Sequence, residues 1–258
     1  MKEVASERSP WALETRNLGK EFLGFKAVAE VNLKVRRGTI HALIGPNGAG
    51  KTTMFNLLTR FTPPTTGSIF LDGRDITAES PAKVARAGMI RSFQISAIFP
   101  ELTVLDNVKI ALQSKHGLAH KALAGASATR HLDEPAMTLL DELGLADSAS
   151  LVARDLPYGQ RRSVELATTL AMDPRVMLLD EPTQGMGVED VEAVAALIRK
   201  VAAKRTVVIV EHNLKVVASL SDQVSVLARG SVLAEGSYAE ISRDARVLTA
   251  YIGADHAG

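Results

Sequence analysis

A chain of 258 residues, 46% hydrophobic and 23% charged, carries enough apolar material for one sizeable core with room for an inserted subdomain. Its formal net charge of +1 gives no global field that would recruit nucleic acid or an acidic membrane surface, and the absence of cysteine excludes disulfides, zinc fingers and thiol catalysis. No apolar run approaches the ~20 residues of a membrane-spanning helix, and the polar stretch 1–9 lacks the apolar centre of a secretory signal.

Residues 1–10 read as a polar leader ending at Pro10. Strands are expected over 12–18 and 28–35, the second alternating Val31, Leu33 and Val35 against polar neighbours. Arg37-Gly38 turns the chain into the apolar run Thr39-Ile40-His41-Ala42-Leu43-Ile44. Directly after it stands Gly45-Pro46-Asn47-Gly48-Ala49-Gly50-Lys51-Thr52-Thr53, followed by a helical pattern over 52–60. This is the spacing G-x-x-x-x-G-K-T between a strand and a helix. Glycines let the backbone wrap a phosphate with its N–H groups inward, and the helix start adds the positive end of its dipole. Lys51 adds a full charge, and Thr52 offers a hydroxyl to Mg²⁺.

Pro63-Pro64-Thr65-Thr66-Gly67 is a turn, 68–71 a short strand, and Asp72-Gly73 a hairpin signal. From about residue 95 to 172 the strand signals give way to helical ones. Thr103-Val104-Leu105-Asp106 has the form of a capped helix start, with Val104, Val108 and Ala111 on one face. A helix over 134–143 carries Met137, Leu139, Leu140 and Leu143 and stops at Gly144. Between these helices, 114–131 is a connector rich in Ala, Gly and Ser with a weak apolar pattern. His116, His120 and His131 are too irregularly spaced to read as a metal site.

Strand–helix alternation then returns, with a buried-type strand over 176–179 and a helix over 189–204. That helix has Val191, Val194, Leu197, Ile198 and Val201 on its apolar face, acids first and bases last. A strand over 206–210 and a hairpin of 224–227 with 232–235 around Arg229-Gly230 complete the pattern. The alternation predicts an α/β domain with a largely parallel core sheet.

A phosphate loop gives binding; hydrolysis also needs a carboxylate near the metal and a group that activates water. Asp180 and Glu181, ending the apolar run 176–179, supply both if that strand lies beside the one feeding the loop. Asp180 is then the expected magnesium carboxylate and Glu181 the expected general base.

With these residues in place, the chain resembles the ATP-binding cassette ATPases from about Leu13 to Gly253. Leu156-Pro157-Tyr158-Gly159-Gln160 resembles the family's signature, L-S-G-G-Q. Gln94 in Arg91-Ser92-Phe93-Gln94 resembles the glutamine that touches metal or water, and His212 in Val210-Glu211-His212-Asn213 the histidine that reaches the γ-phosphate. Phe22 resembles the ring that stacks on adenine, with Phe25 a competing candidate.

The resemblance implies a P-loop NTPase with a largely parallel core sheet, an antiparallel β subdomain and a helical subdomain of about 95–172 inserted in a single nucleotide-binding domain, 11–258. It implies ATP and Mg²⁺ as ligands. Phe22, Gly45 to Thr53, Gly159 and Gln160 would meet the nucleotide, and Thr52, Gln94 and Asp180 the metal. Lys51, Gln94, Glu181 and His212 would be the catalytic set. It also implies a head-to-tail pair of cassettes, each ATP held between one phosphate loop and the other's signature.

Two departures stand out. Pro157 occupies the place of the signature serine and brings neither hydroxyl nor N–H, with Tyr158 in place of the first glycine. Gly187, after Pro182-Thr183-Gln184-Gly185-Met186, stands where the family has an aspartate that couples subunits; Asp190 is nearby.

Phe55-Asn56-Leu57-Leu58-Thr59, Glu101 to Val108, Tyr158-Gly159-Gln160-Arg161-Arg162 and the ending Ala250-Tyr251-Ile252-Gly253 are similar to the ATPases of branched-chain amino-acid importers. Such a subunit sits at the cytoplasmic face of the plasma membrane and docks on separate permeases. An outside binding protein chooses the solute, and nucleic acid is not a partner. A non-transport cassette ATPase and a weakly hydrolytic nucleotide sensor are the other readings.

Overall fold

The computed structural model describes residues 9–92, 98–115 and 130–254. In chain order its elements are β1 (Trp11–Phe22), β2 (Phe25–Val31), β3 (Lys34–Arg36), β4 (Ile40–Ile44), α1 (Lys51–Leu58), β5 (Thr66–Leu71), β6 (Arg74–Asp75), α2 (Pro81–Arg86) and β7 (Met89–Ser92). Then come α3 (Val104–Lys115), α4 (Asp133–Glu142), α5 (Tyr158–Ala171), β8 (Val176–Asp180), α6 (Val188–Ala202), β9 (Thr206–Val210) and α7 (Leu214–Leu220). The chain closes with β10 (Gln223–Ala228), β11 (Ser231–Gly236), α8 (Tyr238–Ile241) and α9 (Ala245–Ala254).

The core sheet has the order β11-β10-β4-β9-β8-β7 and is parallel except at the β10–β11 hairpin. Every residue of β4, β8 and β9 is buried, because alternate side chains enter opposite apolar layers. Ala42, Met177 and Ile209 face the layer that includes α3 to α7; Leu43, Leu178 and Val208 face α1 and the β1 sheet. Parallel register brings the carboxyl ends of β4, β8 and β9 to one edge: Leu43 lies opposite Val210, and Val210 opposite Asp180. The strand ending at Asp180 does not lie directly beside the one feeding the phosphate loop, since β9 stands between them; the phosphate loop, His212 and Asp180-Glu181 leave the sheet from three successive strands, where ligands of open parallel sheets gather.

The second sheet is antiparallel, with β1 between β2 and β5 and with β3 also on β1. The single strand expected over 28–35 is thus two strands. The Thr15 hydroxyl donates to the Val31 carbonyl (2.9 Å) and accepts from the Leu33 N–H (2.9 Å), replacing the ladder where the backbone breaks. Glu30 has φ 50°, which bends the chain just before the break. The sequence pattern also passed over α2 and β7, elements of six and four residues, too short for periodicity to register. α1 begins at Lys51 and ends by Leu58, just before Arg60 with φ 63°.

The helices α3, α4 and α5 stand between β7 and β8. The Asp106 N–H donates to the Thr103 hydroxyl (3.1 Å) at the start of α3, and Val104 and Val108 are buried as expected. Gly144, at φ 68°, ends α4 with the Leu145 N–H reaching back to the Leu140 carbonyl (2.8 Å). The leader to residue 8, most of the 114–131 connector, and Gln94 lie outside the described residues. So do His116 and His120; His131 is exposed, and no group of metal-ligating side chains occurs among the described residues.

His41, fully buried on β4, forms a polar chain across the sheet. The Ser225 hydroxyl donates to Glu235 Oε1 (2.5 Å), so its oxygen accepts from His41 Nε2 (2.7 Å). That leaves His41 Nδ1 buried without a partner among the described residues, and burial holds the imidazole pKa down to about 4. The unfolded chain takes up a proton near pH 6.5 that the folded chain refuses until about pH 4. Stability is full above pH 6.5 and falls by about 3 kcal/mol across that window. Thermal unfolding should therefore show a steeper acid loss for the parent than for His41→Val. Parallel pH profiles for the two would sink the assignment.

Candidate active site

The phosphate loop is held from outside by backbone. Gly45 and Gly50 have φ 151° and 100°. A Cβ on Gly45 would stand 2.1 Å from the Leu227 carbonyl oxygen, and one on Gly50 2.5 Å from that of Ala27, so neither position admits a side chain. The Gly230 N–H in the β10–β11 turn donates to the Ala49 carbonyl (3.0 Å). Behind the loop, the Tyr251 phenol of α9 packs against the apolar core, with the Gly45 backbone in hydrogen-bond contact; burial pushes the phenol up to about 12.

Lys51 Nζ donates to the Gly45 (2.6 Å) and Pro46 (2.9 Å) carbonyls. Burial lowers its pKa, and the nearby charges of Glu181 and Asp180 work in the other direction. Thr52 is exposed in the first turn of α1. Asn47 to Thr53, Phe25, Ala27 and Glu181 line one cleft. Phe25, 68% exposed, is therefore the ring that borders the loop; Phe22 is not among the lining residues, and its ring carries Lys20 Nζ at 4.9 Å instead.

Asp180 is buried at the end of β8 and paired with Arg91 of β7. Glu181, one residue on, has φ 47°, an uncommon conformation for a side-chain-bearing residue that costs on the order of 1–3 kcal/mol. Its N–H is tied to the Val210 carbonyl (2.9 Å). The turn takes its carboxylate out of the sheet to the cleft, where Oε2 lies 4.0 Å from His212 Nδ1.

Glu211, which sequence reasoning passed over, fixes both sides of this pair. Its fully buried carboxylate accepts from the Thr183 N–H (3.0 Å) and hydroxyl (2.5 Å), and from the His212 (3.1 Å) and Asn213 (3.2 Å) N–H groups. It thus ties the segment after Glu181 to the one bearing His212. The only available signal was an acidic residue at the end of an apolar strand.

The signature segment is part of α5 itself, which starts at Tyr158. Pro157 is its N-cap and offers no side-chain hydrogen bond. Gly159 and Gln160 lie in the first turn and do not line the phosphate-loop cleft. Tyr158 Oη donates to the Gln184 carbonyl (3.2 Å). A Cβ on Gly159 would meet Asp190 Oδ1 at 2.5 Å, so Asp190 packs on the signature of its own chain.

A glycine cradle at a helix start with its lysine and hydroxyl, facing two consecutive carboxylates at the carboxyl end of β8, suits a nucleotide triphosphate and a hard divalent cation. The ABC transporter family model matches residues 28–184, and the branched-chain amino acid ATP-binding cassette transporter model matches 231–257. The chain is 40% identical over 250 residues to the high-affinity branched-chain amino acid transport ATP-binding protein BraF of Pseudomonas aeruginosa, covering 93% of this chain and 97% of that one. It is 36% identical over 248 residues to LivG of Escherichia coli, with the same coverage. The solved ADP conformation of MJ1267, an ATP-binding cassette of an ABC transporter, superposes with a TM-score of 0.83 at 28% identity, covering 94% of this chain and 99% of that one. The chain belongs to the ABC transporter family, as an ATP-binding cassette. It is an ATPase, with the P-loop NTPase fold expected from its sequence. No helix among the described residues is long and apolar enough to cross a membrane.

Proposed function

We propose that this chain hydrolyses ATP for an importer of branched-chain amino acids, or a related amino acid or amide, at the cytoplasmic face of the membrane. The observation that carries the solute class is the match of residues 231–257 to the branched-chain model, beside full-length similarity to BraF. Separate permeases form the path, and an extracytoplasmic binding protein selects the solute.

In this reading the backbone N–H groups of residues 47–53 hold the phosphates, Lys51 bonds the terminal ones, and Phe25 supplies the aromatic face in preference to Phe22. Thr52, Asp180 and Gln94 would hold Mg²⁺, which when bound offsets phosphate charge. Glu181 takes the proton of the attacking water as that oxygen bonds the γ-phosphorus and ADP departs. His212 donates to a γ-phosphate oxygen, kept in place by Glu211. Gly159 and Gln160 serve the ATP of a second cassette across a head-to-tail pair; a related cassette, MJ0796, has been solved as a dimer bound to ADP and Pi.

Co-expression with the permease pair and binding protein of a branched-chain amino-acid importer from the same organism tests the reading. The expected result is a co-purifying complex that takes up radiolabelled leucine into ATP-loaded vesicles, displaced by excess isoleucine or valine. A chain that hydrolyses ATP but assembles with no permease would overturn the transport role.

A further inference from the structure

Arg91 lies on β7, opposite Leu178 of β8 in parallel register. Its side chain is 9% exposed and runs to the end of the neighbouring strand, where it pairs with Asp180, itself 4% exposed. Arg91 Nη1 also donates to Asn56 Oδ1 of α1 (2.6 Å), and the guanidinium sits 5.6 Å from the centre of the Phe55 ring. One cation therefore joins three elements that meet below the phosphate loop. Of the other cations nearby, Lys51 is engaged with the loop carbonyls, and Arg162, which lines a cavity with Asp180, is paired with Glu165 (2.7 Å).

A guanidinium held this way is costly to desolvate, and its Nε is buried without a hydrogen-bond partner among the described residues. Packing alone would be served by an apolar side chain of similar size. What the charge supplies is a neutralised Asp180. A bare carboxylate beside the phosphate loop would repel the polyanionic nucleotide until a metal arrived. We infer that Arg91 is the resident counter-charge of Asp180, letting ATP enter the phosphate loop before the divalent cation is in place. This inference rests on the assignment of Asp180 to the metal side of the site.

The ratio of ATP dissociation constants without and with metal reads this directly, by calorimetry on the full chain in EDTA and in excess Mg²⁺. In Arg91→Met the uncovered Asp180 charge should raise that ratio about tenfold over the parent, chiefly through weaker metal-free binding. Removing both charges in Arg91→Met/Asp180→Asn should return metal-free affinity to within about threefold of the parent. If the single variant fails to fold, the double variant reads the inference alone: metal-free ATP affinity within about threefold of the parent supports it, and weaker binding overturns it. An unchanged ratio in a folded Arg91→Met, a double variant that binds metal-free ATP as poorly as the single one, or failure of both to fold overturns it. A parent that binds no ATP in either buffer would instead remove the nucleotide-site reading.

Discussion

Glu181→Gln is expected to lower steady-state ATP turnover by about 10²- to 10⁴-fold, the usual worth of a positioned proton acceptor. ATP affinity should change by no more than about threefold, since an interaction needed only in the transition state leaves binding alone. The structure favours Glu181 over its neighbour for this role. Asp180 is buried and committed to Arg91, whereas Glu181 leaves the sheet at positive φ and lines the cleft beside the phosphate loop. Glutamine keeps the shape of the side chain and one acceptor oxygen, but its other terminal group is a donating NH2 and it cannot take a proton at neutral pH. The variant should also accumulate an ATP-bound dimer, visible by gel filtration with ATP and absent with ADP. Hydrolysis at the parent rate would remove Glu181 from the mechanism.

Lys51→Ala should weaken ATP binding by roughly 10- to 100-fold, corresponding to the loss of charge-assisted hydrogen bonds worth about 1.5–3 kcal/mol. The ammonium is held over the loop by the Gly45 and Pro46 carbonyls, a pre-set position from which little reorganisation is needed to meet phosphate. Removal should leave the fold intact, because the loop's path is fixed by the packing of Gly45 and Gly50 against neighbouring carbonyls rather than by this side chain. Calorimetric titration with ATP reads the effect, and unchanged affinity would refute the phosphate-binding role. The same titration separates the two rings: Phe25→Ala should lose affinity and Phe22→Ala should not, in line with which ring borders the cleft.

Both variants act on groups that were legible as motifs. Gly45 to Thr53 announces itself because backbone wrapping demands glycines at fixed spacing. Asp180-Glu181 stands out as a carboxylate pair closing an apolar strand. Long periodic elements were equally plain: α6, β8 and β9 form where the pattern indicated, and Gly144 stops α4 as expected. The failures share a cause. The break between β2 and β3 depends on a Thr15 hydroxyl from another strand, and β7 is four residues with a charged side chain in its middle. Neither leaves a local signal.

By itself the sequence determined the chemistry on offer: a phosphate cradle, two carboxylates, a histidine and a signature segment, in an order that placed the chain in its class. Motifs of this kind survive as words because each is set by contacts along a few consecutive residues. Which side chain serves which neighbour was decided only by the tertiary structure. The pairing of Arg91 with Asp180 spans 89 residues, and that of Glu211 with Thr183 spans 28. The choice of Phe25 over Phe22 at the cleft follows from the β1–β2 hairpin. Such partnerships arise from strand order and register, which bring distant residues to one edge of the sheet, and no spacing along the chain encodes them.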